Sequence, residues 1–140
     1  MAIDPIHEEI LNRVVTAFEN RDPDAAAALY AQNAVYHQFP ETFHGRDAVR
    51  DAVAAWFTAF TDIRWEVQNL MSSGDTFIAE ALFKGRHMGP MKTEEGEIPP
   101  TGKSVEMPCC FIGKVSSEGL IAEDRTYFNA AIMMEQLGLA

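Results

Sequence analysis

A chain of 140 residues with 47% hydrophobic content is long enough for one domain with a buried core and too apolar to be disordered. Its formal charge of −10 argues against nucleic acid and anionic membrane surfaces as partners, because both need basic patches. No apolar run approaches the ~20 residues of a membrane span. The opening Met1-Ala2-Ile3-Asp4-Pro5 also lacks the basic segment and apolar core of a signal peptide, so a cytoplasmic single domain over residues 1–140 is expected.

Ile3, Ile6, Ile10, Val14 and Phe18 recur every three or four residues, the spacing of one helix face, which leaves His7 on the solvated side. Asp22-Pro23-Asp24 has the chemistry of a helix start: a capping carboxylate, proline at the first helical position and a second carboxylate at the dipole's positive end. A short helix follows from Ala25 to Tyr30, then a strand over Ala34 to Gln38, broken at Pro40. Gly45 opens a third helix with Val49, Val53, Trp56, Phe57 and Phe60 on one side.

The period then changes to two. Ile63, Trp65, Val67 and Met71 alternate with Arg64, Glu66 and Gln68 in a half-buried strand. Ser73-Gly74-Asp75 turns the chain into a second strand, Thr76 to His87. Residues 88–103 hold several Pro and Gly and form a long loop, a candidate lid or pocket rim. Val105 to Val115 and Leu120 to Phe128 read as a hairpin joined by Ser116-Ser117-Glu118-Gly119. A short helix from Ala130 closes at Gly138. Early helices followed by a run of strands give an α+β fold, with helices on one side of a strongly bent antiparallel sheet. Cys109 and Cys110 are adjacent in a strand, point to opposite faces and are expected to be free thiols.

Leu29-Tyr30-Ala31, Gly45-Arg46-Asp47-Ala48-Val49, Gly85-Arg86-His87-Met88-Gly89, Pro100-Thr101-Gly102-Lys103 and Gln136-Leu137-Gly138 occur in this order across almost the whole chain. Together they resemble the SnoaL-like polyketide cyclases of the nuclear transport factor 2-like superfamily. The resemblance implies a cone-shaped fold around an apolar cavity and a homodimer joined through the sheet. Outward apolar positions, read as Trp65 or Leu70, would carry that contact, with Glu80 also facing out.

Two known chemistries of this superfold are missing. Where the ketosteroid isomerases need a carboxylate and a tyrosine, the match puts Gln38 and Val14, which can neither take up nor donate the proton. Limonene-1,2-epoxide hydrolase is more similar, with Tyr36 and Gln38 resembling its water-holding pair. The Asp–Arg–Asp array of that enzyme falls on Phe83, Ala81 and Thr126, so all three charges are lost. The match still implies which side chains face inward: Tyr36, Gln38, Ala81, Phe83, Gly85, His87, Asp124, Thr126 and Phe128, with Trp56 as apolar wall.

On this reading His87 and Asp124 are the candidate acid/base pair. Tyr36, Gln38, Trp56, Phe83, Thr126 and Phe128 hold a small hydrophobic molecule. Histidine titrates near neutral pH, and an apolar cavity raises a carboxyl's pKa, which suits proton shuttling. The plainer alternatives are a strand-end histidine satisfied by backbone or solvent, and an Asp124 paired with Arg125 or Arg86. No metal-ligand spacing, phosphate loop or flavin fingerprint is present, so no cofactor is expected and chemistry is limited to proton transfer: cyclisation, isomerisation or dehydration. A non-catalytic small-molecule binder and a protein-interaction module remain as alternatives.

Overall fold

The computed structural model describes residues 2–140. Helix α1 (Pro5–Glu19) starts at Asp4, whose carboxylate accepts the Ile6 N–H, and α2 (Pro23–Ala27) starts at Asp22, which accepts from Ala25. Strand β1 (Tyr30–Gln38) turns through Phe39-Pro40 into β2 (Glu41–His44), and α3 (Arg46–Ala59) follows. Strands β3 (Phe60–Ser73) and β4 (Thr76–His87) pair along their lengths. The expected loop over 88–103 contains a small hairpin, β5 (Met91–Thr93) and β6 (Gly96–Ile98), which packs against α3. Strands β7 (Ser104–Val115) and β8 (Ile121–Phe128) and helix α4 (Ala130–Gln136) complete the chain.

Six strands form one curved sheet in the order β2-β1-β8-β7-β4-β3. Every pairing is antiparallel except β1 with β8, which run parallel. That pairing joins the first strand to the last and escaped the sequence pattern because it is non-local. Close approach of backbone to side chain shapes the concave face: a Cβ on Gly113 would come within 2.5 Å of the Phe77 ring. The helices fill that concavity. Among the described residues no helix is long and apolar enough to cross a membrane.

The N-terminal helix is rotated from the expected stripe. Ile3 and Ile6 are exposed, whereas His7, Ile10, Leu11 and Ala17 are buried. His7, expected in solvent, packs on Phe77, and its Nδ1 lies 2.9 Å from the Ser72 hydroxyl. A polar ring can occupy a core position when a hydroxyl satisfies it. Phe60, expected on the third helix, is the first residue of β3. Trp65 and Leu70, expected on the outer face, pack instead against the core.

Candidate functional site

Register brings the site together. Parallel pairing sets Tyr36 beside Asp124 and Gln38 beside Thr126, and β7 places Phe111 opposite Thr126. Because side chains alternate, Tyr36, Gln38, Asp124, Thr126 and Phe128 all enter the concave side. They meet Phe83 from β4, Trp65 from β3 and Met107, Cys109 and Phe111 from β7. Phe18 of α1 and Trp56 of α3 close the other side.

Of these, Tyr36, Gln38, Trp56, Phe83, Thr126 and Phe128 line an apolar cavity. Its free space for water centres is about 30 Å³, enough for a water molecule or two. Anything larger enters only as the aromatic walls move. A wider cleft of about 600 Å³ lies outside, between α1 and α2, with Glu8, Arg13, Asn20 and Asp22 on its walls. It is open to solvent and shares no residue with the interior cavity.

Asp124 sits behind the Thr126 wall and is 7% exposed. Its two oxygens are held separately: the Tyr30 hydroxyl donates to Oδ2 at 2.6 Å and the Thr126 hydroxyl to Oδ1 at 3.1 Å. It pairs with neither expected arginine, since Arg125 binds Glu123 and Arg86 donates to the Gly102 carbonyl. Burial raises the carboxyl and the two hydroxyl bonds pull it part of the way back, which leaves it at about 6. Burial also raises both Tyr30 and Tyr36, with the nearby Asp124 charge adding to it, so both phenols stay protonated. Cys109 is pushed up to about 12, chiefly by burial, and is inert as a nucleophile.

Gln38 is locked from two sides. Its carbonyl oxygen accepts the Tyr36 hydroxyl at 3.0 Å and the Trp56 indole N–H at 3.1 Å. The amide NH₂ is left as its available donor. Trp56 is therefore more than apolar wall, because it orients that amide.

The expected pairing of His87 with Asp124 does not form. Both point to the concave side, as parity requires, but they lie at opposite ends of the sheet. The His87 N–H bonds the Lys103 carbonyl, whereas Asp124 is opposite Gly113. Those levels on β7 differ by roughly ten residues, about 33 Å of strand path. Alternation fixes a side chain's face and leaves its height along the strand open. His87 is fully buried beneath the 88–103 segment and does not line the cavity. Its Nδ1 accepts the Thr101 N–H at 3.2 Å, which puts the ring hydrogen on Nε2, enclosed without a partner. The Phe60 ring lies against it. The backbone thus satisfies one of the two ring nitrogens.

Two consequences are measurable. Burial lowers the His87 pKa, partly offset by the Gly89 carbonyl. The unfolded chain therefore takes up a proton at His87 more readily than the native one. Its stabilising contribution is complete above the ordinary value of 6.5 and is lost as pH falls below it. His87→Asn keeps an acceptor for Thr101 without the titration, so its urea stability measured relative to wild type should improve between pH 8 and pH 5, the Asp124 contribution being common to both. Equal pH slopes would refute this. Second, Tyr30→Phe should move the Asp124 carboxyl above 6 by removing a bond that favours its charged form. It should also cost about 1–3 kcal/mol at pH 8. A ¹³C titration in which Asp124 stays put or moves down would show that the phenol does not act on it.

Sequence reading missed Tyr30, because Leu29-Tyr30-Ala31 was placed at a helix end and not at the start of β1. It also missed Trp65 as a lining residue, although alternation with Arg64 and Glu66 was the signal that could have turned it inward.

Comparison with known proteins bears on the whole chain. TsrD from Streptomyces laurentii superposes with a TM-score of 0.85 at 21% identity, over 99% of this chain and 100% of that one. A Catenulispora acidiphila protein with a ketosteroid isomerase-like fold, solved with trimethylamine, gives 0.79 at 19% identity over 94% of each chain. IdmH from Streptomyces antibioticus, a proposed polyketide cyclase, gives 0.74 at 24% identity, over 94% of this chain and 97% of that one. No curated protein sequence matches the chain. The family model for the SnoaL-like domain matches residues 11–124, from the first helix to the buried aspartate, and the chain belongs to that family.

Proposed function

We propose that this protein is a cofactor-independent, cyclase-type enzyme that moves a proton on a small hydrophobic carbonyl compound, with Asp124 as acid and base. The observation that carries this reading is a buried carboxyl, half-ionised near pH 6, one hydrogen bond behind the wall of an apolar cavity. A pKa near the working pH lets one group both accept and return a proton. Asp124 takes a proton from the carbon next to the substrate carbonyl, reached where the Thr126 hydroxyl now bonds it. The C–H electron pair passes into an enolate. That enolate either attacks a second carbonyl carbon of the same molecule, closing a ring as that C=O π pair moves onto oxygen and takes the proton back from Asp124, or, in an unsaturated ketone, is reprotonated by Asp124 at the far carbon of the dienolate as the double bond shifts.

The test is deuterium exchange from D₂O into the α-carbons of a panel of hydrophobic ketones, followed by NMR. Exchange above the buffer rate that disappears in Asp124→Asn supports the reading. Identical traces with wild type, variant and buffer across the panel overturn it. The position of His87 outside the cavity favours a second reading, a non-catalytic small-molecule binder of the same fold, because it leaves Asp124 as the one titratable group close to the cavity with its pKa shifted toward neutral. Binding without exchange would select that reading.

Assembly is proposed as a homodimer through the convex face of the sheet, where Ile78, Leu82, Ile112 and the exposed Tyr127 stand at outward positions. Their apolar side chains, with Glu80 and Arg125 among them on the same face, form the surface that a second copy would cover. Sedimentation at micromolar concentration should give the mass of two chains, and a monomer mass would sink the idea.

A further inference from the structure

Trp65 has a role that neither the fold nor the proton chemistry accounts for. Its ring is wedged edge-on among Phe18, Phe83 and Phe111, with centroids at 5.7, 5.0 and 4.9 Å. Its indole nitrogen is completely enclosed, and among the described residues no group accepts its hydrogen. The other tryptophan differs: the Trp56 N–H is bonded to Gln38. Buried indole N–H groups normally find a partner, and leaving one without costs the desolvation of a strong donor. A core that needed only packing at this position could use phenylalanine, as the three neighbours do.

The donor inventory of the cavity shows what is missing. Tyr36, Trp56 and Thr126 already direct their hydrogens at Gln38 or Asp124. The Trp65 indole N–H and the Gln38 amide NH₂ are the donors left over. Around them the wall is aromatic and sulfur-bearing, with no positively charged side chain. Such a site discriminates against ligands lacking an acceptor, since without one a buried donor stays unpaired.

We infer that Trp65 is the specificity-determining donor of the cavity: it takes the acceptor oxygen of a neutral, flat, largely apolar ligand, such as an aryl ketone. This rests on reading the cavity as a substrate site and names the class of molecule that it takes once the aromatic walls move apart. Trp65 therefore positions the ligand's oxygen, and the aromatic walls hold its body.

The test uses two probes of nearly the same shape, acetophenone with a carbonyl oxygen and isopropylbenzene without one. Affinities for wild type and Trp65→Phe form a thermodynamic cycle in which lost packing affects both probes and cancels. The expected result is that the variant weakens acetophenone about five- to tenfold relative to its effect on isopropylbenzene. Where the variant folds poorly, wild type carries the test alone. The chain has two tryptophans, so the indole region of a ¹⁵N spectrum holds two signals. Acetophenone should shift the Trp65 proton downfield, and isopropylbenzene should not. Equal effects of the variant on both probes, an unmoved Trp65 indole proton, or no binding of either probe at millimolar concentration would each overturn the inference. Acceptor discrimination with no deuterium exchange would leave it standing while removing the enzymatic reading.

Discussion

Asp124→Asn is expected to lower any proton-transfer rate by about 10²–10⁴ while making the protein more stable above pH 6. The native pKa lies above the ordinary 3.8, at about 6, so the folded state holds the proton more tightly than the unfolded chain does. Stability therefore falls as pH rises from about 4 through 6 and levels off above. The full displacement corresponds to about 3 kcal/mol, lost when the buried carboxyl ionises. Asparagine carries no charge and removes that slope. It has a cost, because the Tyr30 and Thr126 hydroxyls donate to separate oxygens and one must reverse toward the amide NH₂. That adjustment is worth about 1 kcal/mol. The variant should be about 1–2 kcal/mol more stable than wild type at pH 8 and less stable at pH 4, with urea curves that cross between. A gain in stability accompanied by lost activity identifies a group kept for chemistry at the fold's expense. If Asp124→Asn is destabilised equally at both pH values, the carboxyl is structural and the proposed role fails.

Phe83→Ala should produce the largest change in stability, about 3–5 kcal/mol. The ring is 2% exposed and meets Trp56, Phe60 and Trp65 at centroid distances of 5.6, 5.5 and 5.0 Å, so deleting it removes contacts to three aromatic rings on two elements at once. The partners belong to α3 and β3, whose backbones cannot collapse together because β4 is held by ladders on both sides. Space is left on the wall of the cavity, and an apolar void of this kind stays dry and accepts hydrocarbons. Isopropylbenzene should therefore raise the melting temperature of the variant by more than it raises that of wild type. Calorimetry with and without the hydrocarbon checks both halves. A loss below 1 kcal/mol would mean that the interior is not packed around this ring.

Much of the secondary structure was legible because it is local. Asp22-Pro23 carries its own cap, the alternation from Thr76 to His87 survives in the burial of every second residue, and Ser73-Gly74-Asp75 can only turn. The side on which Tyr36, Gln38, Phe83, Thr126 and Phe128 sit came from the resemblance to limonene-1,2-epoxide hydrolase, which the two-residue period extends along each strand. The helix stripe misled by one residue, since Ile6 and His7 are neighbours on the wheel and only the Ser72 hydroxyl decides which of them can be buried. Leu70 lies beyond the second register shift of β3, which reverses the alternation, whereas Trp65 keeps the simple alternation with Arg64 and Glu66.

What the amino-acid sequence determines alone is thus the set of elements and the two-residue alternation within most strands, because both follow from nearest-neighbour backbone chemistry. Height along the sheet is another matter. It depends on pairing between strands distant in the chain: the parallel join of β1 to β8 sets Tyr30 and Tyr36 around Asp124, and the β4–β7 ladder carries His87 to the far end. Only the tertiary structure could separate that histidine from that aspartate, or show that the enclosed indole N–H of a cavity-lining tryptophan lacks an acceptor. Hydrogen-bond partners and desolvation come from residues brought together in space, and no spacing along the chain records them.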